Sequence, residues 1–156
     1  SGDRMVCLQS FPAAQRTIQF GRGQVLRPYT ITHPDLLMAT NFQNNALRKA
    51  TIWMIKPGMR ERLTPTSQDA ALVAFQYGNV YNNGGICWGS TRIAEFHTPQ
   101  EVFDGFWNSA FNGDLFVGAS GMEAFLQGLT NGVYPNLSAN SYVATMSSVS
   151  ADISRL

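Results

Sequence analysis

The sequence predicts an α+β domain, a central antiparallel sheet with helices packed on one face, from three observations. Short β-branched and aromatic runs, broken by Gly, Pro and Asn turns, occupy the first half of the chain. A capped amphipathic helix follows at about residue 99. The length of 156 residues, with 44% hydrophobic composition, fits one domain with its own core, spanning 1–156.

The elements follow in order. Thr17-Ile18-Gln19-Phe20 alternates, Gly21-Arg22-Gly23 reads as a turn, and Gln24-Val25-Leu26-Arg27 returns as a strand. His33-Pro34-Asp35-Leu36-Leu37-Met38 opens either a short helix or an irregular segment. Ala50-Thr51-Ile52-Trp53-Met54-Ile55 is a strand stopped by Lys56-Pro57-Gly58, and Ala71-Leu72-Val73-Ala74-Phe75 is a second compact apolar run. Asn79-Val80-Tyr81 enters Asn82-Asn83-Gly84-Gly85, whose residues tolerate positive φ and suit a tight turn, and Ile86-Cys87-Trp88 leaves it.

Thr98-Pro99-Gln100-Glu101 combines an N-cap, a proline at the first helical position and a Glu three residues after the cap. Val102, Phe103, Phe106, Trp107 and Phe111 then recur at near-helical spacing, predicting a helix from Pro99 to Phe111 with Asn112-Gly113 as its stop. A short second helix is expected over 120–127, ending near Gly128, and an edge strand over 141–146. The core is thus expected over about 5–118, with 119–156 a short helix and a polar C-terminal segment. Trp53, Trp88 and Trp107 are the expected core anchors.

Composition removes several function classes. Eleven Lys plus Arg against ten Asp plus Glu leave a net charge of +1, without the basic footprint of a general nucleic-acid binder or a polybasic membrane-surface protein. No apolar run approaches the ~20 residues of a membrane span. Two cysteines and two histidines lack the paired spacing of a zinc site and are too few for a disulfide scaffold. No metal and no small-molecule cofactor is expected. With no signal-peptide h-region at the N-terminus, the expected compartment is the cytoplasm, where thiols stay reduced.

Cys87 is the residue with chemical promise. It follows an Asn/Gly turn, which brings its backbone out at a sheet edge, and Asn79 precedes the same turn. A chain that doubles back between them sets a side-chain amide near a thiol. A thiolate can carry an acyl group as a thioester, and a neutral amide can stabilise the oxyanion formed when an amine attacks it. The competing reading is a buried, inert thiol beside an ordinary hairpin. Cys7, between Val6 and Leu8, reads as a core or sheet residue, and His33 before Pro34 as structural.

The run Asn79-Val80-Tyr81-Asn82-Asn83-Gly84-Gly85-Ile86-Cys87 resembles the active-site segment of ubiquitin-conjugating enzymes, in which a His-Pro-Asn motif precedes the catalytic cysteine and a Gly-x-Ile-Cys run ends the segment. The nearer likeness is to prokaryotic members of that fold, including PRTRC-system protein B. Those chains carry an Asn-Val-Tyr, Asn-Gly, Val/Ile-Cys pattern and a Phe-x-x-Ser-x-Phe helix, matched here by Phe106-Trp107-Asn108-Ser109-Ala110-Phe111.

The resemblance implies a ubiquitin-conjugating-enzyme-like fold in which Cys87 accepts the C-terminus of a ubiquitin-like protein from an activating enzyme and passes it to an amine. Asn79 matches the oxyanion-stabilising or loop-ordering asparagine, and Asp114 is the candidate acidic group for the incoming amine, with His97 an alternative base. Activation with ATP would take place on the partner. The chain departs from the motif in carrying Tyr77-Gly78 for His-Pro and Trp88 after the cysteine. The first departure favours the alternative, an inactive binding module of the same fold for a ubiquitin-like partner. A third class is hydrolysis by a Cys87–His97 dyad, although cysteine hydrolases usually begin a helix with the nucleophile and the helix here starts about eleven residues later.

Overall fold

The computed structural model describes residues 3–22, 25–75, 79–111, 126 and 143–155. In chain order these form β1 (Arg4–Phe11), β2 (Ala14–Arg22), β3 (Val25–His33), β4 (Leu36–Gln43), β5 (Ala46–Ile55), β6 (Leu72–Ala74), α1 (Pro99–Asn108), β7 (Ala110–Phe111), β8 (Val143–Ala144) and α2 (Met146–Ile153). A five-stranded sheet runs β1-β4-β5-β6-β8 and a three-stranded sheet β3-β2-β7. The pairings are antiparallel except β2 with β7. The fold is α+β, with its large sheet antiparallel as the sequence implies. β2 and β3 pair from Ala14↔His33 to Arg22↔Val25, so Gly21 and Arg22, expected in a turn, are strand residues, while Gly23 lies outside the described residues.

The segment after His33, open between helix and irregular chain, is the interior strand β4. Its residues from Leu36 to Phe42 are all buried, because both faces of the sheet are covered. Leu36, Met38 and Phe42 point into one core, Leu37 and Ala39 into a second. A strand buried on both faces reads as a continuous apolar run, which lacks the period-2 alternation that identifies a half-exposed strand. Its neighbour β5 divides likewise, with Ile52 and Met54 on the first core and Trp53 and Ile55 on the second. Asn44 and Asn45 join β4 to β5 with φ of 52° and 64°, a left-handed pair that asparagine tolerates.

Helix α1 starts as its sequence dictates. The Thr98 hydroxyl accepts from the Glu101 N–H at 3.2 Å and Pro99 stands in the first turn. The Glu101 carboxylate accepts from the His97 N–H at 2.8 Å. Its end differs from expectation: the helix stops at Asn108, and Phe111 lies in β7 opposite Phe20 of β2. Ser109 causes the stop, its hydroxyl donating to the Phe106 carbonyl at 2.6 Å while its backbone turns extended. Phe111 still enters the same core, stacked on Trp107 at 5.9 Å.

The polar C-terminal segment of the sequence reading contains a second helix. In α2 the Thr145 side chain and Ser148 form a reciprocal capping box, and Met146, Val149 and Ile153 bury against Leu37, Trp53 and Ile55. Carbonyls at its C-terminal end are met from the sheet, Ile153 by the Asn41 amide at 2.8 Å and Asp152 by the Lys49 ammonium at 3.0 Å. One face of the large sheet thus carries α1 and the small sheet, and the other carries α2. The expected edge strand is β8, paired with β6. The helix expected over 120–127 lies outside the described residues except Leu126, which is fully buried in the first core.

Candidate active site

Strand β6 is short and pairs with β5 only from Trp53 to Ile55, which leaves the β5 edge at Ala50–Ile52 uncovered. The chain from Gly84 to Ile86 completes it. The Ile52 N–H donates to the Gly84 carbonyl at 2.9 Å, Thr51 pairs with Gly85, and the Ile86 N–H donates to Ala50 at 3.3 Å. This satisfies backbone groups that would otherwise stand at an open edge.

Residues 79–87 form a narrow ribbon on this platform. The Cys87 N–H donates to the Asn79 carbonyl at 2.7 Å, Val80 pairs with Ile86, and the Tyr81 N–H donates to Gly85 at 2.8 Å. Gly84 makes the turn at φ +83°, and a Cβ there would stand 2.5 Å from the Trp53 indole, so only glycine fits. The Asn83 side chain accepts from the Gly85 N–H at 3.0 Å, an Asx contact that closes the turn.

Alternation then sorts the side chains. Val80 and Ile86 enter the first core, which sends Tyr81 and Cys87 to the opposite face of the ribbon. Cys87 is half-buried and Tyr81 is exposed. The interaction with the neighbouring Cys87 side chain raises the Tyr81 phenol above its ordinary value. Asn79 is buried, and its Nδ2 donates at 2.9 Å to the carbonyl of Ala110, in β7 beyond α1. The amide therefore ties the ribbon to the small sheet.

The structure brings Cys87 and Asn79 onto adjacent strands of one ribbon, as their spacing implies. His97 is exposed at the β4–β5 turn, where its Nδ1 donates to the Asn45 carbonyl. Asp114 and the Tyr77-Gly78 departure lie outside the described residues. Trp88, next to the thiol, packs at 5.5 Å on Phe96, and the Leu47 N–H donates to the Phe96 carbonyl, pinning the chain that leaves Cys87. Tyr81 is the site residue that sequence reasoning missed. Its signal was parity: in a ribbon pairing 80 with 86, residues 81 and 87 share a face.

A second titratable cluster lies under α1. His33, fully buried, stacks on Trp107 at 4.9 Å. Its Nδ1 donates to the Pro34 carbonyl at 2.7 Å, and its Nε2 accepts from the Arg16 Nε at 2.9 Å, which makes the ring a neutral imidazole. Loss of solvent around the ring is the main cause that lowers its pKa, and the Arg16 charge adds to it. The Arg16 guanidinium lies 4.7 Å from the Phe103 ring centroid and 5.3 Å from that of Trp107.

Cys7 and Cys87 are both free thiols. Among the described residues no group of three or more His, Cys, Asp or Glu side chains is placed to hold a metal ion, and no helix is long and apolar enough to cross a membrane. Compared with known proteins, the chain matches the family described as prokaryotic E2 family D over residues 2–142. No curated protein and no solved structure matches it.

Proposed function

This chain belongs to prokaryotic E2 family D, and on that premise we propose that it is a thioester carrier for a ubiquitin-like protein, with Cys87 the acceptor. The observation that carries the reading is the ribbon. A half-buried thiol stands one strand from Asn79, on a face turned away from the core, in the residue pattern the ubiquitin-conjugating fold uses for transfer. Cysteine suits the task because its thiolate is both a strong nucleophile and a good leaving group.

An activating enzyme presents the ubiquitin-like C-terminus as a thioester. The Cys87 thiolate attacks the carbonyl, the new C–S bond forms, and the partner's sulfur leaves with its electron pair. An amine then attacks, the C–N bond forms, the C–S bond to Cys87 breaks, and the amine's surplus proton passes to solvent. Asp114 and His97 remain the candidates to receive or orient that amine. A reducing cytoplasm is the setting that keeps the thiol free. The Asn-Val-Tyr and Ile-Cys run and the Phe-rich helix support, in our reading, a likeness to PRTRC-system protein B.

Two observations favour the second reading, an inactive module that docks a ubiquitin-like partner. The His-Pro of the motif is replaced by Tyr77-Gly78, and the Asn79 amide is already engaged by Ala110. The deciding experiment incubates the protein with its activating enzyme, ATP and a ubiquitin-like protein, beside Cys87→Ala. Transfer predicts an adduct that reductant removes and Cys87→Ala lacks. Folded protein that forms no adduct with a verified activating enzyme is a binding module.

A further inference from the structure

We propose that Trp53 is a positioning residue for Cys87: its indole is the floor on which the Gly84 turn rests, and it fixes the tilt of the ribbon that carries the thiol. The inference rests on the transfer reading above and adds to that site a residue from outside the ribbon.

Trp53 lies on β5 and is 3% exposed. It faces the second core, where Leu37, Ile55 and the α2 residues Val149 and Ile153 pack with it. Alternation puts Thr51 on the same face of β5, and the indole Nε1 donates to its hydroxyl at 3.2 Å. That hydrogen bond selects one of the two orientations a ring flip would exchange, and aims one edge of the indole at the turn. A Cβ built on Gly84 would stand 2.5 Å from both Cε2 and Cζ2 and 3.0 Å from Nε1. The backbone of Gly84 therefore rests directly on that edge.

The contact reaches Cys87 through continuous pairing. The Ile52 N–H donates to the Gly84 carbonyl at 2.9 Å, and Gly85 pairs with Thr51. The Ile86 N–H then donates to Ala50 and the Cys87 N–H to Asn79. These bonds hold the ribbon beside β5, but hydrogen bonds tolerate a broad range of angles and leave it free to tilt out of the sheet plane. A close-packed ring under one end removes that freedom, because a packed interior leaves no room for the movement. Trp53 thereby sets the height and angle at which the half-buried sulfur is presented. Leucine in its place would still face the second core but would not reach under the turn.

In the reaction Trp53 touches neither the acyl group nor the amine. It keeps Cys87 within the narrow range of positions from which a thiolate attacks a thioester and to which it departs. A displacement of about 1 Å in such a step can cost about a hundredfold in rate.

The test compares Trp53→Leu, Trp53→Phe and Val149→Ala in the full chain, loaded by the activating enzyme with ATP and a ubiquitin-like protein. Trp53→Leu removes the floor, Trp53→Phe keeps a flat ring, and Val149→Ala loosens the same core from α2. Loading is followed against the concentration of this chain at fixed activating enzyme, which separates kcat from KM. The expected result for Trp53→Leu is a kcat roughly tenfold to a hundredfold lower, with KM unchanged. Trp53→Phe should recover most of that loss, and Val149→Ala should load as the native chain does. Amide hydrogen exchange, measured with no partner present, supplies a second readout. In Trp53→Leu the Gly84, Ile86 and Cys87 amides should exchange faster relative to those of β4. Where Trp53→Leu does not fold, Thr51→Val takes its place, since it keeps the side-chain shape and removes the hydroxyl that aims the indole.

Native kcat and native ribbon exchange in a folded variant of a chain that loads, or an equal loss of kcat in Val149→Ala, overturn the role of Trp53 alone. So does a raised KM at unchanged kcat, which is the signature of a docking surface. A native chain that forms no thioester overturns the transfer reading, and with it any positioning of Cys87 for transfer.

Discussion

His33 and Cys87 are each a titratable side chain held beside a ring, yet they sit in opposite circumstances. His33 is sealed between Trp107, Phe103 and the Arg16 guanidinium, with both ring nitrogens hydrogen-bonded. Cys87 stands half-buried on a ribbon, with an exposed phenol as its neighbour. Burial fixes the first group in one protonation state, as befits a part of the scaffold. Partial exposure leaves the second open to a reactant. The same residue types can thus serve architecture or chemistry, and solvent decides between them.

That contrast can be broken from the buried side first. Trp107→Ala removes the ring on which His33, Phe103, Phe106 and Phe111 converge, and is expected to cost about 3–5 kcal/mol in urea denaturation. Alkylation of Cys87 in the folded fraction should stay unchanged, because the ribbon rests on β5.

Gly84→Ala attacks the ribbon instead. Its positive φ and the overlap with Trp53 are expected to cost about 1–3 kcal/mol and to change Cys87 alkylation as well. Equal alkylation in this variant would mean that the turn does not set the thiol.

Asn79→Ala separates two roles of one side chain. As a tether to Ala110 it should lose about 1–2 kcal/mol of stability, read by denaturation. As an oxyanion donor it should slow thioester discharge on the order of a hundredfold with stability unchanged.

The pH dependence sharpens the comparison further. Burial holds the His33 pKa below its unfolded value near ~6.5, so the native state takes up its proton later than the unfolded chain. Its contribution to stability is complete above about pH 6.5 and is lost as pH falls through the folded pKa. Urea midpoints measured downward from neutrality should fall more steeply than in His33→Gln. At the far end of the scale, the exposed Arg92–Glu95 pair at 3.8 Å should be silent, and Glu95→Gln should leave the urea midpoint unchanged.

Much of the site was legible in the sequence because its signals are local. The Asn/Gly turn before Cys87 and the Thr98-Pro99 helix start each depend on residues a few positions apart, and both form as written. What was not legible depends on distant chain. β4 is a strand because two layers cover it, which its apolar run alone does not reveal. The Asn79 amide meets a carbonyl 31 residues away, a contact no spacing rule predicts. α2 was hidden by a serine-rich composition, although Met146, Val149 and Ile153 do recur on one helical face. Tyr81 required the pairing register: once Val80 is set opposite Ile86, its place beside the thiol follows.

The central claim is that Cys87 carries an acyl group, and intact-mass measurement after loading tests it most directly. The account predicts a species heavier by one ubiquitin-like protein less one water, returned to the starting mass by hydroxylamine, with the modified peptide containing Cys87. An unmodified mass after exposure to a verified activating enzyme, or an adduct mapped to any residue other than Cys87, would contradict it.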